Sequence, residues 1–319
     1  MKKVIKYLLS SLIFTMFFSM VCYADNPVIT DCYTADPATL VYNSVCYLYV
    51  GHDQNDAPDN AYRMKDWKCY SSTDMVNWKD EGIPLTTSTF QWSGGDANAA
   101  QCVYRNGKFY WYVSTHDKTH PGVAIGVAVS DSPTGPFKDA IGHALVTNDM
   151  TTYASHSWDD LDPTVFIDDD GQAYMYWGNN ACYWVKLNND MISLNGSITA
   201  IPLTIEAFGP DYEEAPWLYK RNGIYYLVYA ACFPERIAYS TSTNPTGPWK
   251  YRGIIMPNIV TSNTIHPAIV DFNGSSYFVY HNGSLPNGGS YRRSVCIQKF
   301  SYNADGTIPT ILDTSNRRE

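Results

Sequence analysis

Residues 103–113 read V-Y-R-N-G-K-F-Y-W-Y-V, and residues 218–229 read L-Y-K-R-N-G-I-Y-Y-L-V-Y. In each, apolar and aromatic residues alternate on both sides of an Asn-Gly pair. Alternation is the period of a half-buried strand, and Asn-Gly supplies the two left-handed residues of a tight hairpin turn. The same unit returns as V-Y-N-S-V-C-Y-L-Y-V at 41–50, V-F-I-D-D-D-G-Q-A-Y-M-Y-W at 165–177 and I-V-D-F-N-G-S-S-Y-F-V-Y at 269–280. Tyr47, Tyr110, Tyr174, Tyr226 and Tyr277 match across the five copies.

Each hairpin is followed by a further strand and a polar turn, with S-P-T-G-P at 132–136 and N-P-T-G-P at 244–248 as evident duplicates. No long stretch keeps a helical period. Units of roughly 50 to 65 residues, nearly all strand and turn, fit one four-stranded blade each. The expectation is an all-β, five-bladed β-propeller, its four-stranded blades set around a central channel and spanning residues 25–319 as one domain. A two-sheet sandwich is the competing architecture. A lone blade cannot bury its own face, so the copies are expected to fold together.

Composition narrows the functions open to such a fold. The chain has 319 residues, 22 Lys+Arg against 31 Asp+Glu and a formal net charge of −9. An acidic surface disfavours phosphate-rich partners, so neither nucleic acid nor an anionic membrane is expected. Aromatic residues make up 15% of the chain, with 26 Tyr and 9 Trp. They suit strands and also the faces of sugar rings.

Lys2, Lys3 and Lys6 precede an apolar run from Leu8 to Val21, and Cys22-Tyr23-Ala24 ends on a small residue. This is the pattern of a cleaved secretory signal, residues 1–24, with the mature chain beginning near Asp25 and secreted. A membrane anchor needs a longer apolar run, and a lipid attached at Cys22 would want small residues before it. Seven cysteines remain: Cys32, Cys46, Cys69, Cys102, Cys182, Cys232 and Cys296. Their number is odd and their spacing is wide, which fits buried thiols better than a zinc site or a disulfide framework. One disulfide stays open, without a pairing.

The first strand of a propeller blade lines the channel. Counting back from the matching tyrosines gives Asp36, Asp162, Glu214 and His266 at similar depth in four blades, with Asn98 in the second. The contexts are Asp36-Pro37, Asp162-Pro163, Glu214-Ala215-Pro216 and His266-Pro267. Proline holds its predecessor extended and leaves the central ladder, which suits the first residue of a strand. An isolated Asp before Pro is an ordinary turn cap. Three carboxylates and an imidazole entering one end of one channel instead suggest a site, because unpaired buried acids are costly. Such a group can protonate a leaving oxygen with one acid and activate water with another, a third raising the acid's pKa by like charge. It could also ligate calcium or another divalent ion. The run Asp168-Asp169-Asp170 reads as a solvated turn.

T-A-D-P at 34–37, D-P-T-V-F-I-D-D-D-G at 162–171, E-A-P-W-L-Y-K-R-N-G at 214–223 and H-P-A-I-V-D-F at 266–272 together resemble glycoside hydrolase family 43, over essentially the whole mature chain. The resemblance implies a five-bladed propeller that inverts the anomeric carbon. It matches Asp36 to the general base, Glu214 to the general acid and Asp162 to the carboxylate that orients the acid and raises its pKa. Glu213 competes for the acid role. The resemblance also implies His266 near the axis, facing a calcium ion through water, and Arg293, with Arg292 as the alternative, reaching the sugar. Trp92 and Asn282 are assigned to the sugar pocket, against inter-blade packing for Trp92 and a turn for Asn282. Ala99-Ala100 replaces the Ala-Pro often found in the second blade. The implied substrate is plant cell-wall polysaccharide: α-L-arabinofuranosyl side chains of arabinoxylan or arabinan, or alternatively xylo-oligosaccharides cut from xylan by a β-xylosidase. A sugar-binding propeller without turnover is the rival of another class, and a metal-centred structural propeller a third. The working unit is expected to be a monomer.

Overall fold

The computed structural model of the protein describes residues 25–58 and 61–313. The signal segment read at residues 1–24 lies outside the described residues.

Five antiparallel sheets follow one another along the chain. The first blade is Tyr33–Tyr42, Val45–Asp53, Met64–Ser72 and Lys79–Asp80, with a short Leu85–Thr86 strand added to the third. The second is Ser93–Arg105, Lys108–Asp117, Val123–Ser130 and Lys138–Asp139. The third is Thr164–Ile167, Ala173–Trp177, Cys182–Leu187 and Leu194–Ile201. The fourth is Glu214–Arg221, Ile224–Ala231, Arg236–Ser242 and Lys250–Met256. The fifth has three strands, Ala268–Phe272, Ser275–Asn282 and Ser294–Phe300. The first strand of every blade packs against the first strands of the blades on either side, closing a ring. This is the five-bladed propeller expected from the repeat.

The hairpins form where the Asn-Gly pairs stand. Asn106, Asn222 and Asn273 have φ of 50°, 49° and 47°, and the glycines after them 82°, 77° and 73°. In the first blade Asn43 and Ser44 take the same two positions, at 49° and 62°. Two successive positive φ angles match the twist of the flanking strands.

Apolar cores fill the gaps between blades. One joins Tyr49 and Trp67 of the first blade to Trp111 of the second, another joins Tyr112 to Trp177, and a third joins Tyr176 to Tyr229. Trp67, Trp111 and Trp177 are fully buried. Each contributes on the order of 2–3 kcal/mol through the area it removes from water. The recurring tyrosines belong to these layers: Tyr226 stacks on Tyr219 and Tyr239 with ring centroids 4.9 and 6.3 Å apart.

The missing outer strand of the fifth blade is replaced by the start of the chain. Val28 N–H donates to Val295 O at 2.9 Å, and Thr34 N–H donates to Arg293 O at 2.9 Å. Beyond Val28, the Asn26 side chain accepts from Ile297 N–H at 2.8 Å and donates to Ile297 O at 3.2 Å. Residues 26–34 thus satisfy the edge of Ser294–Phe300 and link the last blade to the first.

The structure corrects one local expectation. Asp36 and Asp162, each directly before proline, are not extended: their φ values are 50° and 62°. Ala215, before Pro216, has φ 57°. The pairing register slips at two of these places, between Ala35 and Ala38 and between Glu214 and Trp217. A left-handed residue followed by proline makes a bulge, which bends the strand and re-aims the side chains beside it. Ladder pairing sets Leu40, Val103, Phe166, Tyr219 and Val270 opposite the five matching tyrosines. Four residues before these stand Asp36, Ala99, Asp162, Ala215 and His266. Glu214 and Asn98 therefore lie one residue closer to the open end than the tyrosine count implied.

Candidate active site

Inner strands start at the end of the ring where second strands finish, so that end is framed by first-strand starts and second-to-third-strand connections. A cavity of about 330 Å³ opens there. Its wall includes Asp36, Asp162 and Glu214 from three first strands, and Arg293 from just ahead of Ser294–Phe300. The second-to-third connections add Tyr62, Asn179, Phe233, Glu235 and Tyr291.

Asp36 is 6% exposed. Arg293 Nη1 donates to its Oδ1 at 2.7 Å. The same guanidinium grips Asp53 through Nε and Nη2 at 2.8 and 2.9 Å, and the Arg293 N–H adds a third bond to Asp53 at 2.9 Å. One buried cation thus holds two buried acids, an arrangement whose break by removing one partner typically costs about 3–5 kcal/mol. Arg293, and not Arg292, is the arginine at the cavity wall. Behind Asp36, His281 Nδ1 accepts the Asp36 N–H at 3.0 Å, and His266 Nδ1 stands 3.8 Å from Asp36 Oδ1. Burial pushes the Asp36 carboxyl up to about 7, against the pull of Arg293 and with help from the charges of Asp53 and Glu214.

Asp162 is 5% exposed, and its Oδ2 accepts from Ala215 N–H at 3.1 Å. That bond reaches the backbone bulge beside Glu214, so Asp162 helps fix the aim of the neighbouring acid. Burial and the like charges of Glu214 and Asp36 raise Asp162 well above the ordinary carboxylate range. Glu214 Oε2 accepts from Asn179 Nδ2 at 2.7 Å. Burial raises its pKa, while the Asn179 hydrogen bond and the charge of Arg293 draw it back. Glu213 also reaches the wall, but its Oε2 is taken by Asn180 Nδ2 at 3.1 Å.

Two residues assigned to the sugar pocket lie elsewhere. Trp92 is 8% exposed in the core between the first and second blades, with its Nε1 donating to Asp139 at 3.1 Å. It lies over Gly126, where a Cβ would come within 2.5 Å of the indole. Asn282 is fully buried. Its Nδ2 donates to Asp313 at 3.3 Å and its Oδ1 accepts from Ser294 Oγ at 2.9 Å, which fastens blade five internally. Both side chains are turned away from the cavity by hydrogen bonds outside it, Trp92 to Asp139 and Asn282 to Ser294 and Asp313.

His266 stands behind the cavity wall, 9% exposed. Burial and the Arg293 charge lower its pKa to about 3, so it is neutral. The donor set does not fit a directly bound calcium ion. Among the described residues no three His, Cys, Asp or Glu side chains converge as a metal group, and the nearest carboxylate, Asp36, already carries the Arg293 cation. Calcium prefers six to eight oxygen ligands. The seven cysteines described are all free thiols. Asp168 and Asp169 are held by Lys220 Nζ at 2.9 Å each, as a turn and not a metal loop.

A propeller whose channel mouth gathers several buried carboxyls around a sugar-sized cavity is built for acid–base cleavage of a polar bond, as in a glycosidase. The family profile for glycosyl hydrolases family 43 matches residues 24–308. A xylosidase/arabinosidase of Bacteroides ovatus is 32% identical, the match covering 88% of this chain and 95% of that one. An arabinoxylan arabinofuranohydrolase of Bacillus subtilis (strain 168) is 32% identical over 90% of this chain and 64% of its own. Among solved structures, an α-L-arabinofuranosidase from Clostridium thermocellum ATCC 27405 is 39% identical with a TM-score of 0.74, covering 91% of this chain and 97% of that one. A β-xylosidase/α-arabinofuranosidase from a compost microbial metagenome, solved with xylotriose, is 30% identical with a TM-score of 0.80, covering 91% and 98%. The chain belongs to glycosyl hydrolases family 43 and is a glycoside hydrolase acting on carbohydrate.

Proposed function

We propose that the protein removes terminal α-L-arabinofuranosyl residues from arabinoxylan or arabinan, with inversion. One observation carries the reading: Asp36, Asp162 and Glu214, from three blades, face one cavity of about 330 Å³. Glu214 is the acid that protonates the leaving oxygen. Asp36, when ionised, takes a proton from the attacking water. Asp162 holds the backbone beside Glu214 and keeps that acid protonated by like charge. Arg293 keeps Asp36 in place and offers its charge to the sugar's side of the pocket. A cavity of this size suits one terminal sugar rather than a long bound chain. The basic and apolar N-terminal segment supports export.

β-Xylosidase action on xylo-oligosaccharides is the second reading, favoured by the likeness to the xylotriose-bound relative. Nitrophenyl α-L-arabinofuranoside and β-D-xyloside, with arabinoxylan followed by NMR, separate the two and report the anomer first released. If all three substrates stay intact, the pentosidase reading fails. Glu214→Gln should lower kcat by about 10²–10⁴-fold while leaving sugar binding measurable by calorimetry. A full-rate variant rules out the acid role.

A further inference from the structure

Blade two brings no acid to the cavity wall. Its contributions are Asn98, Ala99, His116 and Val123. The Asn98 amide is turned to its own blade, Nδ2 donating to Ser114 O at 3.4 Å. His116 differs: it is exposed, and its ring makes no hydrogen bond or ion pair among the described residues. Its place is nonetheless fixed. It stands next to last in Lys108–Asp117 and pairs with Val123 across the turn that follows. Asp117 closes that turn: its N–H donates to Gly122 O at 3.0 Å, and its Oδ1 accepts from the N–H groups of Thr119 and His120 at 2.6 and 3.1 Å. The His116 side chain lies over Gly95, in the first strand of the same blade, where a Cβ would come within 2.6, 2.8 and 2.9 Å of three of its atoms. A larger residue at 95 would push the imidazole aside, so glycine gives the ring its seat beside the channel.

We propose that His116 is a specificity-determining residue that hydrogen-bonds a hydroxyl of the sugar chain to which the departing terminal residue is attached. The inference rests on the reading of the cavity as the place where a terminal sugar is cleaved. Depth decides which part of the substrate His116 meets. Asp36 and Asp162 are 6% and 5% exposed, so a sugar that reaches them fills the floor of the cavity. His116 is exposed and stands at the rim, where the rest of the chain leaves the cavity. A neutral imidazole carries one N–H donor and one acceptor nitrogen, and a sugar hydroxyl can meet either. Neither nitrogen is engaged within the protein, so a docking sugar breaks no internal bond. The nearby Lys118 does not compete for the same hydroxyl, because its Nζ donates to Gln91 O at 2.9 Å.

The test compares two substrates that differ in what they place at the rim. A nitrophenyl pentoside puts an aryl group without hydroxyls there, whereas an arabinoxylan oligosaccharide or xylotriose puts a sugar there. The quantity read is the ratio of kcat/KM on the oligosaccharide to kcat/KM on the matching nitrophenyl pentoside, for the wild type, His116→Ala and His116→Phe. In His116→Ala the ratio should fall about 3- to 10-fold, the range of one net hydrogen bond, and chiefly through a higher KM on the oligosaccharide. His116→Phe keeps a ring and removes both nitrogens, so it should fall as far as the alanine variant. A phenylalanine variant with the wild-type ratio would replace the hydrogen bond by packing and overturns the proposal. An unmoved ratio in His116→Ala overturns it too, including the case where both substrates slow alike. If the wild type leaves every one of these substrates intact, the terminal-pentose reading fails and this inference with it. Turnover by the wild type beside an unmoved ratio in His116→Ala overturns this inference alone. The ring is exposed and holds no internal bond, so both variants should fold as the wild type does.

Discussion

Arg293 does two things at once: it bridges Asp53 and Asp36, and it pulls down the Asp36 pKa that burial raises. A base must be ionised to act, and Asp36 is pushed up to about 7 by burial, with Arg293 pulling it down. The active form therefore grows as pH rises through neutrality, giving an acid limb there. Arg293→Met removes that pull and leaves Asp53 facing Asp36, so the limb should move upward by about one unit or more, whereas Arg293→Lys should move it less. Rate profiles of the three proteins check this, and an unmoved limb in the methionine variant would separate Asp36 from the base role. At this scale the sequence spoke unevenly. Asp36 and Asp162 could be found because a proline follows each, and Arg293 only through the family resemblance, with Arg292 as its alternative. Glu235 and Asn179 could not, because a single acid or amide in a connection carries no period. Their only signal is topological: each follows a second strand, and second strands end at the mouth where first strands begin. Trp92 misled for the opposite reason, since indole serves a sugar face and an inter-blade gap equally well.

The bulges ahead of the inner strands are the element that aims the site. Left-handed backbone costs about 1–3 kcal/mol at a residue other than glycine, and three such residues stand at one end of the ring: Asp36, Asp162 and Ala215. Ala215 is fully buried, and its N–H is the donor to Asp162. A β-branched side chain there would meet both the φ penalty and the crowding. Ala215→Val should therefore cost about 2–4 kcal/mol of stability in urea unfolding and lower kcat by swinging Glu214 off its line. A variant with wild-type midpoint and rate would show that the bulge has no such part. The hairpins were legible in the sequence because Asn-Gly acts locally. The bulges were not, because proline alone favours an extended predecessor. Left-handed geometry wins here where the ring packs the strands and hydrogen bonds from neighbouring blades hold the turned residue.

The molecule as a whole stores ionisable groups in a place that water barely reaches, and its stability should show it. Asp36 and Asp160 titrate near 7 for lack of solvation, and Asp159, Asp162, Glu213, Glu214 and Glu235 are raised as well. An unfolded chain gives up these protons near pH 4; the folded one holds those of Asp36 and Asp160 to about 7 and the others above their ordinary range. Between those values the native state binds more protons, so stability falls as pH rises. His266 and His281, lowered by burial, act in the opposite sense up to about 6.5, but they are two against seven. The Tm should drop between pH 5 and pH 8 by several degrees; a Tm that stays level or climbs, measured by calorimetry in matched buffers, would refute this balance.

The latch of residues 26–34 on the last blade makes the two ends of the polypeptide mutually dependent. A purification handle fused directly ahead of Asn26, or proteolytic trimming by a few residues, strikes the seam of the wheel rather than an idle tail. Arg293 sits at that seam, its carbonyl bonded to Thr34 and its guanidinium to Asp36. Loosening the seam should therefore blunt turnover before the sheets themselves come apart, so the placement of a tag becomes a catalytic variable.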